Sequence, residues 1–265
     1  SLVRIALPED AEAAQHVLSA EGERQKSGLS PEQGPLLKVV HFEAAHAERS
    51  RLLMTLHHLV VDGVTWRILL TDLARSFSQW QESRNIRLPA KTSSYQQWAE
   101  ALQAYGQSEA VQAEKQFWLH RLRTRLEAIP VDDPQAADDR LTTSKLATAA
   151  LSADTTRLLL RYCAGAYDTT VNDLLLAALL MAFNRWCGRT ALLVRMEGHG
   201  REAVIPQLDV SETMGWFTSI YPLLLKLDDQ AAPAAARADG NVWARAVKSV
   251  RRQVHAIPRK GIGFG

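Results

Sequence analysis

The chain has 265 residues, of which 46% are hydrophobic and 23% charged, and its net charge is +2. This length allows one large or two modest domains, and the composition is typical of a soluble globular protein. The balanced charge argues against nucleic acid or an anionic membrane as a partner. The longest apolar run, residues 174–183, is too short to span a bilayer.

The cysteine content gives a second bound. Cys163 and Cys187 are the only cysteines, and they fit neither a disulfide framework nor a metal cluster. Cys163 falls in a helical apolar pattern and is expected to pack rather than react. No signal-peptide pattern is visible. The sequence therefore predicts a cytoplasmic protein without a metal ion.

Strand and helix patterns alternate through the first part of the chain. Apolar periodicity and turn residues predict strands over 1–10, 36–42 and 51–57, the last two as a hairpin, and helices over 11–26, after Gly63 and after Ser93 or Ser94. The helix after Gly63 carries apolar residues at helical spacing that are expected to pack in the core: Trp66, Leu69, Leu70, Leu73, Phe77 and Trp80. On the next helix, Tyr95 and Trp98 are expected to pack on one face.

The second part begins after a predicted linker over 129–140, which contains two prolines and four aspartates. We accordingly expect an N-terminal lobe over 1–140 and a C-terminal lobe over 141–265. Beyond the linker the patterns predict strands over 145–151, 191–196 and 220–227, helices over 158–163, 173–186 and 242–254, and a terminal glycine-rich loop. Gly188 is expected to stop the second of these helices, and Glu197 to lie in a loop after its strand.

The most distinctive stretch places adjacent histidines at the end of a predicted strand. Because successive strand residues point to opposite faces, one of His57 and His58 can face a cavity while the other packs. Asp62-Gly63 is a turn signal, and Asp62 can cap the helix that follows. An imidazole held in this way suits proton transfer near neutral pH. Spacing alone leaves two structural histidines as an equal alternative.

Several motifs carry a resemblance. His57-His58-x-x-x-Asp62-Gly63 resembles the HHxxxDG motif of condensation-type domains of nonribosomal peptide synthetases. Glu197-Gly198-His199-Gly200-Arg201-Glu202 resembles the EGHGRE signature of the epimerization branch. The same branch is resembled by NDLLLAA over 172–178, TMGWFT over 213–218 and PRKGIGFG over 258–265, where Phe264 replaces the usual tyrosine. The chain is therefore identified as an epimerization domain of the condensation superfamily.

The resemblance implies an α/β fold with two lobes similar to chloramphenicol acetyltransferase, mixed sheets, flanking helices and an active-site tunnel between the lobes. Family motifs resembling PIQxWF and FNYLG are absent from the two ends, so the chain is expected to be the truncated middle of a domain. The implied reaction removes the Cα proton of a carrier-bound L-aminoacyl or peptidyl thioester and returns one, giving an L/D mixture. It needs no intrinsic cofactor.

The resemblance also implies the roles of residues and partners. His58 and Glu197 are expected to form the acid/base pair, with Glu197 buried; alternatively, a His58 imidazolium stabilises the enolate and Glu197 serves both faces. Asp62 is expected to orient the loop through a hydrogen bond or an arginine partner, and Arg201 to pair with Glu202 or the loop backbone. Supporting or tunnel-lining positions are His57, Asp62, Gly63, His199, Arg201, Trp216 and Phe217, with core packing equally open for the last two.

The implied partners are a peptidyl carrier domain, expected just upstream, whose phosphopantetheine arm holds the substrate, and a downstream condensation domain. Three alternative functions remain at this stage. The first is peptide-bond formation by a condensation domain, and the second is a non-catalytic domain that recruits a partner. The third is a free small-molecule acyltransferase. Retention of both His58 and Glu197 favours epimerization over these.

Overall fold

The computed structural model describes residues 2–46, 49–133, 135, 143–163, 165, 168–227 and 240–265. The chain divides into two compact units, Ser1–Tyr105 with His199–Thr218, and Gly106–Gly198 with Ser219–Gly265. The predicted linker over 129–140 and the predicted loop before the last helix lie partly outside the described residues. The lobe boundary at residue 140 therefore stays a prediction, and the segment His199–Thr218 belongs to the same unit as the N-terminal residues.

The first unit contains a three-stranded mixed sheet in the order β1 (Leu2–Ala6), β2 (Leu37–Glu43), β3 (Arg51–Leu56). Strands β1 and β2 are parallel and are joined through helix α1 (Ala11–Ser27), whereas β2 and β3 form the predicted antiparallel hairpin. The unit also contains helix α2 (Gly63–Gln81) and most of helix α3 (Tyr95–Gly106). Val40 and Phe42 of β2 are fully buried.

The second unit pairs two antiparallel strands, β4 (Ala191–Gly198) and β5 (Ser219–Lys226). Its helices are α4 (Glu109–Gln112), α5 (Lys115–Leu122), α6 (Ala153–Leu158) continued by a π-helical turn over Leu159–Cys163, α7 (Val171–Cys187) and α8 (Gly240–His255). Side chains of α7, β5 and α8 form its core, including Leu180, Leu223, Leu225 and Val250. The predicted α/β class with mixed sheets and flanking helices is confirmed.

Both ends of α7 follow from local sequence. Asp173 N donates to Thr170 Oγ1 while Thr170 N donates to Asp173 Oδ2, which makes a reciprocal cap at the N-terminus. At the C-terminus Gly188 adopts φ +73°, a left-handed conformation that side chains disfavour, and its N–H donates to Asn184 O. The predicted helix and its glycine stop are both confirmed.

Four predictions of local structure are wrong. Residues 145–151 form no strand, because no described segment offers them a ladder of hydrogen bonds. Glu197 does not lie in a loop, since β4 continues to Gly198 and pairs Glu197 with Ile220. The glycine-rich terminus forms a 3₁₀ turn over Pro258–Gly261. Finally, Phe77 and Trp80 of the α2 stripe are 52% and 66% exposed, because this helix buries Thr65 and Ile68 instead.

No helix in the described part of the chain is long and apolar enough to cross a membrane.

Neighbouring leucines on α7 provide a test of the core. Leu180 is fully buried and Leu179 is 46% exposed. Leu180→Ala is expected to lower the free energy of unfolding by about 2–5 kcal/mol, because it leaves a cavity. Leu179→Ala is the matched control, for which we expect a loss below about 1 kcal/mol. Urea-induced unfolding measures both, and equal losses would contradict the assignment of this core.

Candidate active site

The double histidine lies where the hairpin gives way to α2. β3 ends at Leu56, and a single 3₁₀ turn over His58–Val60 follows. His57 N donates to Leu36 O at 2.9 Å, and its Nδ1 accepts from Leu59 N at 3.3 Å. His57 is thus tied to the local backbone, whereas His58 is exposed. This difference is compatible with a structural His57 and an accessible His58.

Asp62 is a buried carboxylate with partners on both oxygens. Its Oδ1 accepts from Thr65 N at 2.7 Å, which caps α2 as predicted, and its Oδ2 accepts from Phe217 N at 3.2 Å. Arg201 Nη2 lies 3.2 Å from each oxygen. Gly63 simply begins the helix, and a Cβ there would have open space.

Opposing effects act on the Asp62 carboxyl. Burial raises its pKa, but hydrogen bonds from the Thr65 backbone and hydroxyl, then from Phe217 N, and the charge of Arg201 lower it more. The net result is a pKa of Asp62 below its ordinary value. Asp62 is therefore a carboxylate near neutral pH, which agrees with an orienting role rather than proton transfer.

Arg201 occupies the centre of this network and is almost as buried as Asp62. Its Nη1 donates to Val210 O at 2.7 Å and to Thr213 O at 2.6 Å, and its Nη2 also lies 3.2 Å from Thr65 Oγ1. The guanidinium stacks on the Phe217 ring at 3.8 Å. Of the partners that the sequence left open for Arg201, the structure shows the loop backbone and Asp62.

The remaining residues of the second motif lie close to Arg201 in sequence and bind each other. His199 Nδ1 accepts from Arg201 N at 3.0 Å, and its Nε2 lies 3.2 Å from Glu202 Oε1. His199 is half-exposed, and Glu202 is mostly buried. The position of His199 along a tunnel stays a prediction.

Trp216 and Phe217 have different surroundings. Phe217 is buried against Tyr95, with ring centroids 5.1 Å apart, and against Trp98 at 5.7 Å. Trp216 is half-buried, and its ring stands nearly perpendicular to that of His58 with centroids 5.7 Å apart. Core packing thus describes Phe217, whereas Trp216 belongs to the immediate surroundings of His58.

Glu197 lies in β4 on the face opposite to the core. Side chains alternate along a strand, so Val194 and Met196 pack against the core while Glu197 is exposed. The expected burial of Glu197 is wrong for the described chain, because the strand extends through it and its parity directs it outward. Within the described residues its carboxylate has no hydrogen-bond or ion-pair partner. His58 belongs to the first unit and Glu197 to the second.

A second buried carboxylate was not identified from sequence. Glu114 accepts from Trp118 Nε1 at 3.3 Å and forms an ion pair with Arg259, whose Nη1 also donates to Ala110 O. The ring of Phe264 contacts that of Trp118 at 5.1 Å. These contacts attach the glycine-rich terminus to α5. The spacing of Glu114 and Trp118, four residues apart on one helix face, is the sequence signal that indicates their contact.

That terminus is closely packed. Arg259 and Lys260 adopt φ values of +42° and +52°, and a Cβ on Gly261 would lie 2.1 Å from the Tyr221 ring. Glycine is therefore required at position 261 by close approach. Elsewhere among the described residues, no group of three or more histidine, cysteine, aspartate or glutamate side chains could hold a metal ion.

Comparison with known proteins assigns these features to a family. The family model described as the condensation domain matches residues 2–265. The chain belongs to the condensation-domain family. Among relatives, one of the linear gramicidin synthase proteins from Brevibacillus parabrevis is 38% identical over 258 residues, which are 97% of this chain and 5% of that protein. Tyrocidine synthase 1 from the same organism is 37% identical over 94% of this chain and 22% of that protein.

Solved structures support the same family. The epimerization domain from the third module of tyrocidine synthetase B matches with a TM-score of 0.86 and 34% identity, over 99% of this chain and 57% of that chain. The first condensation domain of the calcium-dependent antibiotic synthetase matches at 0.70 and 18% identity, over 98% and 54%, which shows the fold alone. This condensation-family chain thus spans a little over half of the solved domains and a small part of the curated relatives.

Removal of one partner from the buried ion pair is a direct test of its role. Arg201→Met leaves the Asp62 carboxylate buried without its counter-charge, so the free energy of unfolding is expected to fall by about 3–5 kcal/mol. Arg157→Met is the matched control, because its pair with Asp154 is exposed, and we expect about 0–1 kcal/mol there. Chemical denaturation compares the two. Similar losses would show that the Arg201 pair contributes no more than a surface pair.

The lowered pKa of Asp62 predicts a pH dependence of stability. A carboxyl whose pKa is lower when folded stabilises the protein above its unfolded pKa, and this contribution is lost as pH falls through the folded pKa. The stability difference between wild type and Asp62→Asn should be constant from about pH 7 to 5 and shrink below about pH 4. Unfolding measured across this range tests it. A difference that grows towards acid pH would contradict the lowered pKa.

Proposed function

We propose that this chain is part of an epimerization domain of a nonribosomal peptide synthetase. The observation that carries the proposal is the segment over residues 197–202, which matches the epimerization signature and whose Arg201 binds Asp62 of the histidine motif. The 34% identity to a solved epimerization domain, against 18% to a condensation domain, supports the same choice.

The proposed reaction needs a base and an acid. A base takes the Cα proton of a carrier-bound L-aminoacyl or peptidyl thioester, and the electron pair moves into the thioester carbonyl as an enolate. An acid then returns a proton to the opposite face of Cα, so that atoms and electrons balance and an L/D mixture forms. We assign these two roles to His58 and Glu197.

The surroundings of both residues suit this assignment. The His58 imidazole is exposed and neither donates nor accepts a hydrogen bond among the described residues, so it is available for proton transfer. The Glu197 carboxylate is likewise exposed and unpartnered in the described chain. In the one-base variant of the scheme, His58 as an imidazolium stabilises the enolate oxygen and Glu197 serves both faces.

The proposal includes the partners that the chemistry requires. The thioester would be presented on the phosphopantetheine arm of a peptidyl carrier domain, upstream in the same protein, and a downstream condensation domain would use the epimerized product. No cofactor of its own is assigned to this chain, because the thioester carbonyl itself delocalises the carbanion.

Exchange of the Cα proton in D₂O tests the proposed residues. The full-length protein would receive a carrier-bound L-aminoacyl thioester, and the rate of deuterium incorporation would be measured for Glu197→Gln and His58→Ala. Loss of a general acid or base lowers such rates by about 10²- to 10⁴-fold. Glu212→Gln and His16→Ala, which change exposed side chains of the same types, should retain wild-type exchange.

The variants also separate the alternatives. If His58→Ala still exchanges the Cα proton but only slowly, and Glu197→Gln does not exchange at all, the one-base scheme is favoured. If the intact protein shows no exchange but forms an amide when an acceptor aminoacyl carrier is added, the function is condensation. Absence of both activities with retained carrier binding would support partner recruitment instead.

A further inference from the structure

The orientation of His58 depends on an aromatic ring. Catalytic imidazoles are usually oriented by a hydrogen bond to one ring nitrogen. No such bond to His58 exists among the described residues. The side chain that stands against it is Trp216, with ring centroids 5.7 Å apart and planes 84° apart. The position of the indole therefore limits the conformations that the imidazole can adopt.

The backbone that carries this indole is held at three consecutive residues. Gly215 exchanges two hydrogen bonds with the Thr65 hydroxyl, at 2.8 and 3.1 Å. The carbonyl of Trp216 itself accepts from Tyr95 Oη at 2.8 Å, and Phe217 N donates to Asp62 at 3.2 Å. Thr65 and Asp62 act on the residues before and after, so Tyr95 is the side chain that binds Trp216 directly.

The ring of Tyr95 is also closely fitted. It packs nearly perpendicular to Phe217, and a Cβ on Gly215 would lie 2.3 Å from it. Its residue is nevertheless 39% exposed. An exposed phenol can exchange its hydrogen bond for one with water at little cost in stability. A bond kept at this position therefore points to local geometry rather than to stability of the fold.

We propose that Tyr95 is a positioning residue, which holds Trp216 and through it orients the His58 imidazole for proton transfer. The structural part of this proposal depends only on the contacts of His58, Tyr95 and Trp216. Its kinetic consequence rests on the proposed function of His58. Tyr95 itself contacts neither substrate nor reacting atoms in this scheme.

Tyr95→Phe tests the proposal because it removes only the hydroxyl and keeps the ring that packs on Phe217. In full-length protein labelled with ¹³C-histidine, the His58 signal is identified by its loss in His58→Ala. The indole ring current displaces this signal, and Trp216→Phe removes the displacement. We expect Tyr95→Phe to move the signal towards its position in Trp216→Phe.

The kinetic readout is the exchange of the Cα proton. Loss of one hydrogen bond that orients the imidazole should lower kcat about 3- to 10-fold and leave KM unchanged. Tyr162→Phe, on an exposed tyrosine of the second unit, and Trp80→Phe, on an exposed tryptophan of α2, are the matched controls. Both should leave the His58 signal and kcat at wild-type values.

Two results would overturn the proposal. A His58 signal that stays at its wild-type position in Tyr95→Phe would show that the hydroxyl does not act on the imidazole. A shifted signal with unchanged kcat would show that it has no part in proton transfer. Absence of exchange in the wild type would instead overturn the proposed function, and the His58 signal would then decide the positioning role by itself.

Discussion

The buried ion pair between Asp62 and Arg201 is the interaction on which the first unit's site depends. Burying two charges is costly unless each finds partners. Here both carboxylate oxygens and both terminal guanidinium nitrogens are bound. The pair joins the N-terminus of α2 to the backbone around Phe217, 155 residues away. It thereby brings the histidine motif and the segment over 199–218 into one network.

The second unit uses the same physical solution at a different place. Glu114 is a buried carboxylate that binds an arginine, Arg259, and an indole N–H, that of Trp118. In both units a charged pair lies beside an aromatic ring, and in both it attaches a glycine-containing segment to a helix. These segments are two of the motifs that resemble the epimerization branch. We therefore attribute their composition partly to close packing, which Gly215 and Gly261 require.

Local features could be predicted from sequence, whereas distant contacts could not. The caps at Asp62 and Thr170 are predictable because donor and acceptor are three residues apart. The Asp62–Arg201 pair spans 139 residues, so the sequence left Glu202 and the loop backbone equally open as partners. Likewise, the pattern around Tyr95 indicates a packing face but does not reveal which carbonyl its hydroxyl binds.

Sheet pairing and burial account for the remaining differences. Strand β4 extends beyond its apolar run because pairing with β5 continues to Gly198, and this extension reverses the expected burial of Glu197. Residues 145–151 have a strand-like pattern but no partner strand in the described chain. Periodicity identified an apolar stripe on α2, but it does not say what covers that stripe, and within the described residues Trp80 is exposed.

The central claim is that this chain belongs to a domain that inverts Cα through proton removal and return. The most direct test starts the full-length protein separately from the L- and the D-aminoacyl thioester on the carrier in D₂O, with chiral analysis of the released amino acid. The account predicts that both reactions converge on the same L/D ratio with deuterium at Cα. Retention of the starting enantiomer in both reactions, without deuterium, would contradict it.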